Sequence, residues 1–338
     1  MTGDSTRVLY VGTEDGLYLA EPDGKQYNSR PLALQGKGAL RSPVLIDRDH
    51  PRRLYAATGR GGVQRSEDGG TSWREINDGV LYKETWCIVQ HPKTAELFVG
   101  TGPSSVFKSD DRGDHWVDCE RLRDLPETIY WTFPRPPHVS HVKGLALRAD
   151  DSMVIFGAIE EGWVVRSQDG GKSWKNIKEG VEFDAHSVAV MTDNPEVVIA
   201  TSGQGVFKST NGGDSFVESS HGLDCRYMAQ LVCHPARPNV LFSAAAAVPP
   251  PLWRRPEGAR AAFYRSENQG ESWQRLCGGL PDHFKAAPRA TAGDPEEPNA
   301  FFVGMTDGTI WLSEDGGESF RQVLGGLPSV SSIRVARH

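Results

Sequence analysis

The sequence lacks the features that mark several large classes of protein. Its five cysteines are an odd number and form no Cys-x-x-Cys pair, so neither a disulfide framework nor a zinc ribbon is indicated and reduced thiols are expected. No apolar run approaches the length of a membrane span. The formal net charge of −7 argues against nucleic acid and anionic membrane surfaces as partners. A small-molecule substrate is the partner that these absences favour.

The amino terminus also lacks the pattern of an exported protein. Residues 1–5 contain no basic side chain and lead into no long apolar core, so no secretory signal is expected in this chain. With the unpaired thiols, this predicts a cytoplasmic protein; an exported form already trimmed of its signal is the alternative.

Helical periodicity is nowhere sustained, and the chain is instead rich in turn residues, with 37 glycines and 22 prolines. Short apolar stretches such as 97–101 and 106–109 alternate with these turns. The pattern predicts an all-β protein.

One eight-residue pattern, Ser-x-Asp-x-Gly-x-x-aromatic, occurs six times. Asn211 and Asn268 replace the aspartate in two copies. Of the five intervals between successive copies, three are 42 to 47 residues long and two are 57 and 58 residues long, which indicates repeated units with two insertions. The side-chain oxygen and the glycine suit a hairpin turn, so a structural role is predicted. The copies begin at Ser66, Ser109, Ser167, Ser209, Ser266 and Ser313.

Four short strands fit each unit, which predicts the blade of a β-propeller. A seventh, degenerate unit begins at residue 9, where residues 20–27 have lost the pattern. This unit lacks its innermost strand, and residues 332–336 are predicted to supply it and to close the ring. We therefore expect a seven-bladed β-propeller of four-stranded antiparallel blades, occupying residues 1–338 as a single domain.

The repeated turn resembles the Asp-box, or bacterial neuraminidase (BNR) repeat, over the whole chain. Asp-box propellers include sialidases, sortilin and the photosystem II assembly factor family. A closer resemblance is to bacterial seven-bladed WD40/YVTN/BNR-like proteins often labelled glycosyl hydrolases, and it is carried by 131–138, 141–143, Glu160 and 184–187. The sialidase Arg-Ile-Pro start motif is missing, so the resemblance implies the fold and not a typical sialidase.

Both insertions map to one end of the predicted channel. Residues 119–140 precede an innermost strand and residues 245–262 interrupt the second and third strands of a later unit, so both should project from the end where innermost strands begin. Aligning those strand starts places a ring of polar residues below the insertions, and deeper positions are apolar. The ring consists of Arg41, Glu84, Trp86, His141, Lys143, Asp184, His186, Tyr227 and Arg289, with His138 and Glu160 at its rim.

A polar ring in an apolar channel predicts a ligand site, because buried charges without partners cost stability. His141, His186, Asp184, Glu84 and Tyr227 are the candidate catalytic residues, since histidine and carboxylate groups serve acid–base catalysis near neutral pH. Such a set suits a hydrolase or a lyase acting on a small polar or anionic, possibly carbohydrate-like, substrate. The candidate substrate-binding residues are Arg41, Lys143, Trp86, Arg289, His138 and Glu160.

Two alternatives stay open. His141, His186, His138 and Asp184 offer enough nitrogen and oxygen donors for a divalent metal ion, so a metal cofactor is possible although none is required. The proline-rich, basic segment 249–256 would suit a docking loop, which favours a non-catalytic scaffold that binds a protein partner. His91 and His234 stand in repeated His-Pro turns away from the ring and are interpreted as structural.

Overall fold

The computed structural model describes residues 6–337, in which the strands form seven antiparallel sheets. Each sheet has four strand positions, so the predicted seven-bladed β-propeller is confirmed. The short 3-10 helices are Glu120–Asp124, Pro126–Tyr130 and Pro250–Leu252. None of the helices described is long and apolar enough to cross a membrane. All five cysteines are unpaired.

The strands follow the chain in the order of the blades. Blade seven contains β1 (Arg7–Thr13), β2 (Gly16–Asp23) and β3 (Gln26–Ala33). Blade one contains β4 (Leu45–Ile46), β5 (Leu54–Thr58), β6 (Gly62–Ser66) and β7 (Arg74–Glu75), and blade two contains β8 (Glu84–Gln90), β9 (Leu97–Gly102), β10 (Ser105–Ser109) and β11 (Val117–Asp118). Blade three contains β12 (His141–Leu147), β13 (Ile155–Glu160), β14 (Val164–Ser167) and β15 (Lys175–Ile177).

The later blades repeat this order. Blade four contains β16 (Ala185–Val190), β17 (Val198–Ser202), β18 (Gly205–Ser209) and β19 (Val217–Glu218). Blade five contains β20 (Tyr227–Met228), β21 (Val232–Cys233), β22 (Leu241–Ala246), β23 (Ala262–Ser266) and β24 (Gln274–Leu276). Blade six contains β25 (Pro288–Gly293), β26 (Phe301–Met305), β27 (Ile310–Ser313) and β28 (Arg321–Leu324), and β29 (Val330–Arg337) returns to blade seven.

The carboxy-terminal strand completes the ring as predicted. β29 pairs with β1 and is the innermost strand of blade seven, in the order β29-β1-β2-β3. Arg7 then ties this blade to blade six, with Nε 2.8 Å from Asp294 Oδ2. Pairing strands from both chain ends protects sheet edges that would otherwise be exposed.

The apolar core is divided into clusters that lie between adjacent blades, as expected for units too small to bury their own faces. Between blades one and two, Tyr55, Val99 and Trp116 belong to one cluster. The backbone N–H of Trp116 donates to Asp78 O at 2.8 Å, in the turn that leaves blade one. Gly79 is required beside it, because its φ is +88° and an added Cβ would lie 1.9 Å from Trp116 O. The closing aromatic of the repeated turn therefore joins neighbouring blades, as predicted.

Two details of the innermost strands differ from a regular repeat. In blade five the innermost position is split into β20 and β21, which both pair with β22. The pairing shifts by one residue between them, so the segment that begins at Tyr227 is one residue longer than its counterparts. In blade one the innermost strand is only Leu45–Ile46, so Arg41 lies in the segment before the strand and not at its start.

Candidate functional site

The two ends of the channel are defined by strand direction. In blade two, β8 begins at Glu84 opposite Gly102, and Gln90 at its far end pairs with Leu97. Leu97 also pairs with Ser109, where the repeated turn begins. The Ser-x-Asp turns therefore lie at the end opposite to the starts of the innermost strands. We call the end where those strands begin the mouth, and the other end the turn face.

A β-bulge at the same level of several blades aims side chains at the mouth. In blade two, Thr85 pairs with Thr101 and Cys87 with Gly100, so Trp86 is the extra residue. The same shift leaves Lys143 unpaired in blade three, His186 in blade four and Arg289 in blade six. Bulges of this kind redirect a side chain and are frequent beside active sites. In blade seven the extra residue is Ser331, which the sequence alignment missed.

A stack of three side chains forms one wall of the mouth. The Trp86 and His141 rings are parallel, with centroids 3.4 Å apart, and the Arg41 guanidinium lies 3.9 Å from the Trp86 ring centroid. Phe133, from the first insertion, packs its edge against His141 with centroids 4.8 Å apart. Glu84 lies 3.7 Å from Arg41 and is about half exposed, so it is a loose partner of that guanidinium at the edge of the stack.

Glu160 is the buried charge at the centre of the site. His141 Nε2 lies 2.6 Å from Glu160 Oε2, and Lys143 Nζ lies 3.0 Å from the same oxygen. Burial alone would raise the pKa of Glu160, but the Lys143 charge and the bond from His141 hold it well below its ordinary value. Burial also lowers the pKa of His141, against the pull of Glu160. This carboxylate is thus ionised and already neutralised by protein groups.

His186 and Asp184 form a second histidine–carboxylate pair. His186 Nδ1 must donate to Met228 O at 2.9 Å, because a carbonyl oxygen only accepts. His186 Nε2 lies 3.2 Å from Asp184 Oδ2, so a hydrogen bond there requires a further proton shared by the pair. Burial alone would raise the pKa of Asp184, yet the bond from His186 and its charge keep it lowered. Asp184 Oδ1, in contrast, has no hydrogen-bond partner.

These two pairs adjoin each other. One donor atom from each of Glu160, Asp184 and His186 lies within 4.8 Å of the others, a grouping that could hold a divalent ion. His141 approaches the same Glu160 carboxylate, so both predicted histidines reach one group. His138 is outside the grouping: it is exposed, and its Nδ1 lies 2.8 Å from Phe133 O. Lys143 already supplies a positive charge to Glu160, and a metal ion at this point stays a prediction.

The second insertion closes the opposite wall of the mouth. Tyr227 contacts the His186 ring edge-on, with centroids 4.6 Å apart, and Trp253 of the insertion packs on Tyr227 at 5.9 Å. The Arg289 guanidinium lies 5.4 Å from the Trp253 ring centroid. Burial raises the pKa of Tyr227, and the charges of Arg289 and the exposed Arg135 only partly oppose this. Tyr227 therefore keeps its proton, so its hydroxyl is able to donate a hydrogen bond.

Glu161 is a second acidic residue at this site. Burial raises its pKa, and the charges of Asp184 and Glu160 raise it further. It lies in the turn between β13 and β14 with φ of +53°, and Trp163 in the same turn has φ of +64°. Two non-glycine residues in the left-handed region are costly, and such strain clusters at functional sites. Nothing in the sequence indicates that the adjacent residues Glu160 and Glu161 have pKa values shifted in opposite directions.

Several buried polar atoms around the mouth have no hydrogen-bond partner. Asp184 Oδ1 is an acceptor of this kind, and buried polar groups without partners normally cost stability unless a ligand or water satisfies them. The donors or donor-acceptors are Arg41 Nη1, Trp86 Nε1, Trp131 Nε1, Arg289 Nε and Ser331 Oγ. Three of these five belong to the bulge residues Trp86, Arg289 and Ser331, so the bulges direct these side chains to positions where no residue between 6 and 337 bonds them.

No family model matches this sequence. The curated xyloglucanase Xgh74A of Acetivibrio thermocellus is 25% identical over 131 residues, which are 35% of this chain and 14% of the xyloglucanase. The crystal structure of a GH74 enzyme from Niastella koreensis superposes with a TM-score of 0.71 at 16% identity, covering 90% of this chain and 52% of that one. This chain therefore spans only about half of that enzyme.

Other propellers match over nearly their full length. A putative 6-phosphogluconolactonase from Bacteroides fragilis has a TM-score of 0.66 at 11% identity and covers 99% of both chains. YCF48 from Cyanidioschyzon merolae has a TM-score of 0.58 at 15% identity, covering 87% of this chain and 89% of that one, and YCF48 is also known bound to D1 peptide. The protein is thus a seven-bladed β-propeller whose structural neighbours include GH74 enzymes, lactonase-like proteins and YCF48.

Proposed function

We propose that this protein is a hydrolase that cleaves a carbohydrate bearing an anionic group at the mouth of its channel. The observation that carries the proposal is the opposite behaviour of two neighbouring carboxyl groups. Burial raises the pKa of both groups. At Asp184 the hydrogen bond and charge of His186 outweigh burial and lower the pKa, whereas at Glu161 the charges of Asp184 and Glu160 raise it further. Environments that push two acids apart assign them the roles of base and acid.

Glycoside hydrolysis uses such a pair of carboxyl groups. One, protonated, gives its proton to the leaving oxygen, and the other, ionised, activates water or attacks the sugar. Glu161 suits the first role. Asp184 suits the second, because its Oδ1 is unpartnered while Oδ2 is held by His186.

The charges of the mouth support an anionic substrate. Arg289 and Arg135 make no ion pair with any residue between 6 and 337, and the charge of each lowers the pKa of Tyr227. Opposite them lie Asp184 and Glu161. A sugar acid could place its carboxylate on the arginine side and its scissile bond on the acidic side, because guanidinium groups bind carboxylates well. The xyloglucanase and GH74 similarities support a carbohydrate substrate in general but not this charge.

The proposal is tested with glycosides that differ in their leaving group. Glucuronides and glucosides with either a nitrophenyl or an alkyl leaving group should be incubated with the wild type, Glu161→Gln and Asp184→Asn. Glu161→Gln should lose cleavage of alkyl glucuronides but keep much of its cleavage of nitrophenyl glucuronides, because a nitrophenolate leaving group departs without being protonated. Asp184→Asn should lose both.

Asp169→Ala, changed in a turn on the opposite face, is the matched control and should keep both activities. If Glu161→Gln lost cleavage of both kinds of glucuronide equally, Glu161 would not be the proton donor. An unsaturated product in place of simple hydrolysis would identify a lyase and overturn the hydrolase.

A second candidate function is non-catalytic binding of a peptide. It is favoured by the exposed Arg254, Arg255 and Pro256 on the second insertion, beside the mouth, and by the similarity to YCF48. Arg254→Ala/Arg255→Ala should then abolish capture of an acidic peptide, with Asp184→Asn leaving it unchanged. Peptide binding that is insensitive to the two arginines would exclude this function.

A further inference from the structure

A cavity lies in the channel below the mouth. Its volume is about 350 Å³, and the innermost strands of the blades form its wall. The sequence predicted an apolar level here. The apolar residues of this level come from blades one to five. Blade seven differs, because β29 contributes Arg334 to the same wall. The apolar members are Leu45, Ile88, Leu145, Val188 and Leu231.

Arg334 is a charged group without a protein partner. It makes no hydrogen bond or ion pair with any residue in the described range 6–337. Other arginines near the chain ends behave differently: Arg337, on the same strand, lies 2.8 Å from Asp294, and Arg7 reaches the same carboxylate. Arg334 is an exposed residue that lines the cavity, and the surrounding protein lowers its pKa by desolvation with no opposing acid.

The charge of the cavity wall is all of one sign. Two charged residues line it, Lys143 and Arg334, and both are cationic. Lys143 is held by Glu160 at 3.0 Å, so the guanidinium of Arg334 is the uncompensated charge. A guanidinium keeps its proton under ordinary conditions, and desolvation in the channel disfavours the charged form of Arg334. Something anionic in the cavity would remove that cost.

We propose that Arg334 binds a small oxyanion, a phosphate or a carboxylate, inside the central channel. The planar fork of a guanidinium matches two oxygens of such a group. Gln230 lines the same cavity, and its side-chain amide makes no hydrogen bond to the described residues, so it is a further donor. A volume of about 350 Å³ corresponds to roughly ten water molecules, enough for a small hydrated anion.

The oxyanion can come from two sources. It is either a free anion, or the acidic end of a substrate that extends from the mouth, since Lys143 lies both at the mouth and in the cavity wall. Inorganic phosphate and glucuronate are probes for the two cases, and glucose is the neutral counterpart of glucuronate.

Binding of the three probes should be measured by calorimetry at constant ionic strength for the wild type, Arg334→Gln, Arg334→Lys and Arg30→Gln. Arg30 is an exposed arginine of β3 in the same blade, so its variant removes the same charge from the surface. Arg334→Gln should weaken phosphate binding about tenfold or more, the loss expected for a hydrogen bond to a charged group. Arg334→Lys should lie in between, and Arg30→Gln should match the wild type.

Phosphate binding that depends on Arg334 identifies a free anion as the ligand. If glucuronate binds in an Arg334-dependent way and neither phosphate nor glucose binds, the ligand is the acidic end of a substrate that extends from the mouth. In either case Asp169→Ala, changed in a turn on the opposite face, should bind the probe as the wild type does. The proposal is overturned if neither anion binds the wild type, or if Arg334→Gln binds them equally well.

A folding readout gives an independent check. In a buffer poor in oxyanions, Arg334→Gln should melt at or above the wild-type temperature, because it removes an uncompensated charge. Adding phosphate should raise the melting temperature of the wild type and not of the variant. A variant that melts well below the wild type in that buffer would show that Arg334 is held by the protein itself.

Discussion

The mouth and the turn face carry similar side chains but satisfy them differently. On the turn face Asp68 Oδ1 accepts the Ser72 N–H at 2.9 Å, and Oδ2 accepts the Ser72 hydroxyl at 2.6 Å. At the mouth Asp184 Oδ1 accepts nothing. An aspartate whose oxygens are all used by its own turn serves folding, whereas an aspartate with an oxygen that no residue between 6 and 337 bonds is a candidate for binding a ligand.

Histidines show the same contrast. On the turn-face side, His91 Nδ1 accepts the backbone N–H groups of Lys93 and Thr94, and its Nε2 lies 3.1 Å from Arg148 O. Both nitrogens are occupied by backbone, as the structural interpretation of the His-Pro turns requires. At the mouth His141 and His186 each face a carboxylate. Bonds to backbone groups alone mark a structural histidine, and a carboxylate partner marks a candidate for chemistry.

The largest expected effect separates the two faces by activity. Asp184→Asn should reduce turnover by about 10²–10⁴-fold, the range for loss of an acid–base group, with little change in melting temperature. Asp169→Ala on the turn face should leave kcat/KM within about twofold while lowering the melting temperature. Steady-state kinetics and thermal unfolding of both variants measure this. Equal effects of both on kcat would erase the distinction.

The pH dependence of turnover should follow from the two carboxyl groups. Activity needs Asp184 ionised and Glu161 protonated, with pKa values below 3.8 and above 4.5 respectively. Turnover should therefore rise as pH increases through the Asp184 pKa and fall as pH increases through the Glu161 pKa, giving a bell-shaped profile. Glu161→Gln should abolish the falling limb. A rate that increases steadily through neutral pH would contradict these roles.

The turn-face aspartates should affect stability. Asp169→Ala removes bonds to the Ser173 N–H and hydroxyl and should cost about 1 kcal/mol. Asp169→Asn should cost less, because Asn211 makes the corresponding bonds to Ser215 in blade four. Chemical denaturation of both variants measures the difference. An equal loss from Asn and from Ala would mean that charge, and not hydrogen bonding, holds these turns.

The pH sign for Asp169 is also fixed. Burial would raise its pKa, but the bonds from Ser173 keep the folded value lowered from 3.8, so this contribution is present above about pH 4. It should fade as pH falls through the folded pKa and be absent from the Asn variant.

Two serines provide the last comparison, and the variant at Ser331 should have the smallest effect on stability. Ser167 Oγ donates to Asp169 and accepts the Gly171 N–H, whereas Ser331 Oγ at the mouth is buried without a partner. Ser167→Ala should cost about 1–2 kcal/mol, and Ser331→Ala should change stability by less than about 0.5 kcal/mol. Denaturant midpoints decide this. A costly Ser331→Ala would show that its hydroxyl is satisfied within the fold.

The repeat predicted the fold well because each blade encodes its own turn. The Ser-x-Asp pattern gave the blade count, and the missing innermost strand of blade seven located β29. The site was predicted less completely. Register placed Trp86, Lys143, His186 and Arg289 at one level, but the bulges that aim them depend on pairing between strands. Arg334 was missed because blade seven has no complete repeat, and the raised pKa of Glu161 arises from burial and from the charges of Asp184 and Glu160, which depend on the folded structure.

Ligand binding at the mouth tests the central claim most directly. The melting temperature of the wild type should be measured with glucuronate and with glucose at equal concentration and ionic strength, beside Arg289→Gln and Asp169→Ala. Glucuronate should stabilise the wild type and Asp169→Ala by equal increments, glucose should do so less, and Arg289→Gln should lose the preference for the acid. Stabilisation that persists in Arg289→Gln but disappears in Asp169→Ala would place the ligand on the turn face and contradict the account.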